Sequence, residues 1–249
     1  MSTWVLLRGL VRESRHWGNF PELLARELPE AQVLPLDLPG NGSLNKALSP
    51  LTIPAMAEHC RTELARQGVP PPYHLLAMSM GGMVAAAWAT AHPQEVNSCV
   101  LINTSFGSFS PLHQRLRPGA LLRLIKGLLT LSDHSREGVI FSLTSNLPRE
   151  HAPQVVEAWC AIRSASPVSP GNTARQLLAS ARYKAPLKAP VPTLLLLGAG
   201  DRLVDPQCSR EIAARWDCAL AVHPWAGHDL TLDDGPWVAG RVRNWLQQD

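Results

Sequence analysis

The chain has no stretch of about 18 uncharged apolar residues, so a bilayer-crossing helix is not expected. It has no block of Lys and Arg, and its 23 basic residues against 20 acidic ones leave a formal charge of only +3. That balance gives no electrostatic footprint for nucleic acid. It has no CxxC pair. The five cysteines (Cys60, Cys99, Cys160, Cys208, Cys218) are an odd number, and Cys99 and Cys218 fall in apolar strand-like runs. A disulfide framework or a zinc site is therefore not expected, and a reducing cytoplasm is the expected location. Arg8 and Arg12 break the N-terminal apolar run before it could act as a signal peptide. No internal repeat is visible. What the chain does have is 249 residues, 45% of them apolar and 17% charged. That excludes disorder for the bulk of the chain and allows one sizeable core.

Short apolar runs alternate with helical patterns. Strands are predicted at 4–7, 32–38, 73–78, 98–103, 193–197 and 219–224, with helices at 20–28, 53–67, 82–91, 209–216 and 237–248. Strands that are apolar nearly throughout and separated by helices imply a mostly parallel α/β sheet covered on both faces. The interval from Gly107 to Lys184 breaks this rhythm. It carries only helical apolar patterns (Leu121, Leu122, Ile125, Leu128, Leu129; Val139, Ile140, Leu143; Val155, Val156, Trp159), punctuated by Pro148, Pro153, Pro167 and Pro170. The proline-rich stretch 184–192 reads as a stiff return to the sheet. The expected organisation is a core of 1–106 with 185–249 and a helical lid of 107–184, a common use of such insertions.

Three local patterns carry chemistry. Ala77-Met78-Ser79-Met80-Gly81-Gly82 joins a buried strand to a helix. A serine on so sharp a turn has its hydroxyl clear of the sheet, and the crowded turn needs small residues two places before and two after, here Ala77 and Gly81. The following helix N-terminus favours developing negative charge. A helix-capping serine is the simpler alternative. Second, the run at 193–197 ends in Gly198-Ala199-Gly200-Asp201, which sets a carboxylate at the strand edge where sites form. Asp205 precedes a proline and reads as a cap. Third, Trp225-Ala226-Gly227-His228 sets an imidazole after another strand. There it could take a serine proton, with Asp201 fixing its tautomer. The spacing of His223 and His228 suits neither a helical nor a strand face, so a metal pair is not expected.

With Ser79, Asp201 and His228 in that order, the chain resembles the α/β-hydrolase superfamily over essentially its whole length. Leu6-Leu7-Arg8-Gly9-Leu10, Asp37-Leu38-Pro39-Gly40-Asn41-Gly42, the serine turn, Gly198-Ala199-Gly200-Asp201-Arg202-Leu203-Val204 and Gly227-His228 carry the resemblance. It implies Ser79 as nucleophile, Asp201 as acid, His228 as base and an oxyanion hole from the Leu10 and Met80 N–H groups. Many relatives have His-Gly where this chain has Arg8-Gly9. Arg8 would add positive charge near the site, or pair with a nearby carboxylate and order the loop. The N-terminal hairpin of larger relatives is expected to be absent. Relatives with an aspartate nucleophile act as haloalkane dehalogenases and epoxide hydrolases, which the serine argues against. Lid length and compact size look similar to small carboxylesterases, among them the pimeloyl-carrier-protein methyl ester esterases of biotin synthesis.

The expected activity is cofactor-free hydrolysis of carboxylic esters through an acyl-enzyme. Thioesterase, acyltransferase and C–C hydrolase chemistry would use the same triad, and a catalytically silent binding module would use the same fold. Met78, Phe141 and Trp159 are the expected substrate contacts, and Leu121, Leu122 and Ile125 are further candidates to shield an acyl chain. Between Gly107 and Lys184 ten basic residues face four acidic ones, +6 against −3 for the rest of the chain. The expected partner is a small-molecule ester, with an acidic carrier-linked acyl group as its extended form.

Overall fold

The computed structural model describes residues 2–128 and 132–247, apart from the side chain of Leu128. Leu129 of the expected lid pattern and the last residue of the expected final helix, Gln248, lie outside them. Six strands, β1 (Ser2–Leu7), β2 (Ala31–Leu36), β3 (Tyr73–Met78), β4 (Val96–Ile102), β5 (Thr193–Gly198) and β6 (Ala219–His223), form one sheet in the order β2-β1-β3-β4-β5-β6. Every pairing is parallel.

Strand alternation sorts side chains onto two buried faces. On one face, Val5, Leu7, Leu75 and Ala77 pack against α2 (Ile53–Arg66) and α3 (Met80–Ala91), where Met56, Leu64, Val84 and Trp88 are buried. On the other, Trp4, Leu6, Leu76 and Met78 meet α1 (Phe20–Glu27) and α10 (Leu230–Leu246) through Phe20, Leu24, Val238 and Val242. β2 stops short of the expected run because Asp37 turns into loop chemistry, its carboxylate accepting from the backbone N–H groups of Ser14 and Ser43. Helix α10 starts seven residues earlier than the sequence pattern suggests. Pro236 reads as a helix start, but the chain is already helical before it and absorbs it at a kink, with Asp234 at φ −154°, ψ 72°.

Among the described residues, the elements between β4 and β5 are helical, including α4 (Leu112–Arg115), α5 (Pro118–Leu128), α6 (Asp133–Thr144), α7 (Ala152–Ala165) and α8 (Pro170–Arg182). Phe141, Val156 and Trp159 give this segment a small core of its own. Leu121, Leu122 and Ile125 lie on the outer face of α5, each more than 40% exposed, and do not cover an interior surface. Helix α9 (Gln207–Trp216) precedes β6.

Candidate active site

Ser79 sits between β3 and α3 at φ 55°, ψ −120°, a positive φ that a residue with a Cβ adopts only under tight constraint. Its N–H donates to the Ile102 carbonyl at 2.9 Å. Its own carbonyl accepts from the Gly82 N–H at 3.0 Å and from Thr104 Oγ1 at 2.8 Å. The crowding read from the sequence is real: a Cβ on Gly81 would come 2.4 Å from the Leu7 carbonyl oxygen and 2.7 Å from that of Arg8. The loop after β1 also runs against the serine, since a Cβ on Gly9 would lie 3.0 Å from the Ser79 Cβ. This loop carries Leu10 past Ser79. Its turn is held by the Arg12 N–H on the Gly9 carbonyl at 3.2 Å and by the Val11 N–H on Gln176 Oε1 at 2.9 Å. Among the described residues the N–H groups of Leu10 and Met80 have no acceptor, and Ser79 Oγ has no hydrogen-bond partner.

Asp201 and His228 meet from the loops after β5 and β6. His228 Nδ1 is 2.7 Å from Asp201 Oδ2, and both side chains are buried. The other oxygen, Oδ1, accepts the N–H groups of Leu203 at 2.8 Å and Val204 at 2.9 Å. The carboxylate is thus fully engaged and cannot rotate without losing backbone bonds. His228 Nε2 has no partner among the described residues. Asp205 instead pairs at 3.3 Å with Arg117 and accepts the Gln207 N–H, as a cap would. His223 faces away: it meets Asp234 at 3.1 Å and packs edge-on to Trp225 and Trp237.

Several residues that the sequence did not single out hold these loops together. Asn103, at the end of β4 with φ 46°, donates Nδ2 to the carbonyls of Gly227 (3.0 Å) and His228 (2.8 Å) and accepts the Gly198 N–H at 2.9 Å. One side chain therefore ties the acid loop to the histidine loop. Just past α6, Asn146 donates to the carbonyls of Gly200 and Trp225, and Asp233 accepts from Ser145 Oγ, the Asn146 N–H and the Gly227 N–H. Burial raises the Asp233 carboxyl above its usual range even though these donors oppose it.

Arg8 resolves the two expectations stated for it. Its guanidinium is bidentate on Asp229, at 3.2 Å and 2.6 Å, with both side chains 4% exposed, and it lies over the Trp17 ring at 4.7 Å. Burial alone would raise the Asp229 carboxyl. The Arg8 charge and hydrogen bonds, with further help from the Arg12 charge, outweigh burial and hold it below its usual value. Next to this pair, Arg12 and Arg163 converge on the fully buried Glu137 of α6 at 2.9 Å and 2.6 Å, and Arg12 covers the Trp159 ring. Burial and the neighbouring Arg12 and Arg8 charges push the His16 imidazole well below its usual value, which keeps it neutral. The expected substrate contacts do not gather in one place. Met78 is packed in the core beneath α1 and α10, whereas Phe141 and Trp159 pack against each other in the helical segment.

A family model described as the alpha/beta hydrolase fold matches residues 5–235. Solved structures of similar shape include a putative non-heme bromoperoxidase from Mycobacterium tuberculosis (TM-score 0.78, 19% identity, covering 100% of this chain and 92% of that one). Another is a thermophilic esterase from Thermogutta terrifontis (TM-score 0.76, 21% identity, covering 100% and 90%). Among curated proteins, a pimeloyl-acyl-carrier-protein methyl ester esterase from Chromobacterium violaceum is 31% identical over 90 residues, 36% of this chain and 33% of that protein. A biotin biosynthesis bifunctional protein from Teredinibacter turnerae is 31% identical over 105 residues, 42% of this chain. The matched region spans only 17% of that second relative and a third of the first. The match over residues 5–235, on an all-parallel six-stranded sheet, makes the chain a member of the alpha/beta hydrolase family.

Proposed function

We propose that the protein is a serine hydrolase that cleaves carboxylic esters through an acyl-enzyme. The observation that carries the reading is the His228–Asp201 contact at 2.7 Å, with the second carboxylate oxygen already taken by two backbone N–H groups. Asp201 can then accept only from Nδ1–H, which leaves Nε2 as the basic nitrogen. Ser79 Oγ attacks the ester carbonyl carbon while Nε2 takes its proton. The oxyanion is held by the Leu10 and Met80 N–H groups, which have no acceptor among the described residues. Collapse breaks the C–O bond, and the alcohol leaves with the proton from Nε2. Water repeats the sequence on the acyl-serine and returns the free acid.

The helical segment 107–184 is proposed as a lid, held together by the apolar core of Phe141, Val156 and Trp159; Met78, packed beneath α1 and α10, is not part of it. A carrier-linked acyl ester is a second form of the same reading, favoured by the positive charge of this segment. That charge is only partly available: Arg115 donates inward to the carbonyls of Ser180 and Ala181, Arg163 is spent on Glu137, and Arg175 donates to the Ser49 carbonyl. The exposed remainder includes Arg123, Lys126, Arg149, Arg182 and Lys184. Among the described residues no helix is long and apolar enough to cross a membrane.

The test is hydrolysis of p-nitrophenyl esters of increasing acyl length, with Ser79→Ala beside the wild type. Activity that collapses in the variant supports the reading, and the chain-length profile sizes the pocket. Activity that survives the substitution refutes Ser79. Rates on carrier-linked esters that fall with salt no faster than rates on neutral esters would remove the carrier.

A further inference from the structure

We infer that Arg8 is a positioning residue for the hydrolysis proposed above: by neutralising Asp229, it keeps a second carboxylate from holding His228 protonated, and it ties the loop of the oxyanion donor Leu10 to the loop of the base. The inference rests on that reading of the site.

The geometry is as follows. Asp229 directly follows His228 and opens α10, where its Oδ1 also accepts from Thr231 Oγ1 at 3.2 Å. Its N–H donates to the Thr144 carbonyl at 2.7 Å, which fixes the backbone there. The Asp229 carboxylate interacts electrostatically with His228, and an uncompensated buried carboxylate near an imidazole favours the imidazolium, which cannot accept a serine proton. Arg8 removes that bias. Both of its Nη groups are committed to Asp229 and its face is covered by Trp17. Two residues further along the same loop is Leu10, so a single bidentate contact spans the distance between oxyanion donor and base. Arginine suits the task because it stays charged when buried and its planar fork matches the carboxylate.

Other charges face the same region. Asp201 comes from the loop after β5, Arg12 from the Arg8 loop, Asp233 from α10, and Glu137 and Arg163 from α6 and α7 beyond Arg12. Each has its own partner. Asp201 has the His228 and backbone donors, Asp233 the Ser145 and backbone donors, and the two arginines share Glu137. Asp229 is therefore the carboxylate whose compensation depends on Arg8.

The experiment is the pH dependence, from pH 5 to 9, of the rate at which a fluorophosphonate labels Ser79. It compares the wild type with Asp229→Asn, Arg8→Met, Arg8→Lys and the double variant Arg8→Met/Asp229→Asn. Circular dichroism of each variant reports folding. Asp229→Asn is the decisive arm, because the guanidinium left beside the imidazole cannot shed its charge. Its labelling midpoint is expected to fall by about half to one pH unit. Arg8→Met is expected to raise the midpoint by a similar amount, so that labelling at pH 6 slows about three- to tenfold relative to the variant's own alkaline plateau, and to lower that plateau as the Leu10 loop loses its tie. The double variant is expected to return towards the wild-type midpoint, and Arg8→Lys to stay near it. Opposite shifts in the two single variants are a signature that a merely structural contact does not produce. If the wild type labels at Ser79 but Asp229→Asn keeps its midpoint, the inference about Arg8 is overturned and the serine-hydrolase reading stands. If the wild type does not label at all, both fall. Should Arg8→Met fail to fold, Asp229→Asn and Arg8→Lys still decide the matter.

Discussion

Replacing Asp201 by asparagine changes one atom, and the surrounding bonds fix what that atom does. Oδ1 accepts the Leu203 and Val204 N–H groups, so the asparagine must keep its carbonyl oxygen there or face two donors with an NH₂. Its NH₂ then takes the place of Oδ2, 2.7 Å from His228 Nδ1. Nδ1–H cannot point at a donor. The imidazole shifts to the tautomer that accepts at Nδ1 and carries its proton on Nε2, where it cannot take the serine proton. The expected loss in kcat is about 10⁴-fold, the size seen when a triad carboxylate becomes an amide. That corresponds to about 5 kcal/mol of transition-state stabilisation. Geometry is kept, so KM and the urea midpoint should stay close to wild type. The assay is hydrolysis of the best p-nitrophenyl ester at saturation, with Ser79→Ala as the floor. A loss of less than tenfold would refute the claim that Asp201 sets the tautomer.

Glu137→Leu leaves Arg12 and Arg163 without their shared carboxylate. Breaking a buried pair costs about 3–5 kcal/mol, and the partial exposure of both arginines argues for the lower end, about 3 kcal/mol in urea unfolding; a change under about 1 kcal/mol contradicts the assignment. Gly81→Ala drives a Cβ into the Leu7 and Arg8 carbonyls, both backbone, so Ser79 labelling should fall sharply along with a drop in Tm; normal labelling would show that the turn is not crowded. Asn103→Ala frees the Gly227 and His228 carbonyls and the Gly198 N–H together, and should lower kcat more than it raises KM. Asp229 has a carboxyl held below its usual value, so its contribution to stability is full above the ordinary carboxylate range and is lost as pH falls through the lowered value. The stability gap between wild type and Asp229→Asn should therefore be widest near neutral pH and close in acid; a gap that is flat with pH would show that Asp229 is not ionised in the fold.

How much of this was legible depends on sequence distance. Each expected triad member follows a buried strand and carries its own few-residue pattern, so strand periodicity and local turn chemistry were enough to nominate Ser79, Asp201 and His228. A mostly parallel sheet followed from the same runs, and the structure makes every pairing parallel. What stayed hidden lies in pairs far apart in the chain. Arg8 and Asp229 are 221 positions apart, Arg12 and Glu137 125, and Asn103 and His228 125. No local pattern marks a charged side chain for a buried partner, and the usual expectation for a lone Glu or Arg is a solvated surface. Asn103 left one trace, a polar residue directly after the apolar run 99–102. Leu121, Leu122 and Ile125 illustrate the opposite limit: their helical spacing gave the stripe correctly, but spacing says nothing of what covers it, and here they lie on the outer face.

Apart from Arg12–Glu137, which reaches into α6, these long-range contacts share one position in the fold: they join loops or helix ends that emerge from the C-terminal edge of the parallel sheet, where side chains from different strands must be fixed relative to one another. Asn103 bridges the loops after β4, β5 and β6. Arg8 bridges the loop after β1 to that after β6, and Asn146 bridges the end of α6 to the loops after β5 and β6. Hydrophobic layers alone would leave these loops free to slide past each other, since apolar contact is not directional. Directional bonds, buried where water does not compete, set the imidazole, the carboxylate and the backbone donors in one arrangement. In this chain the residues that sequence patterns find are positioned by polar contacts whose partners those patterns do not name.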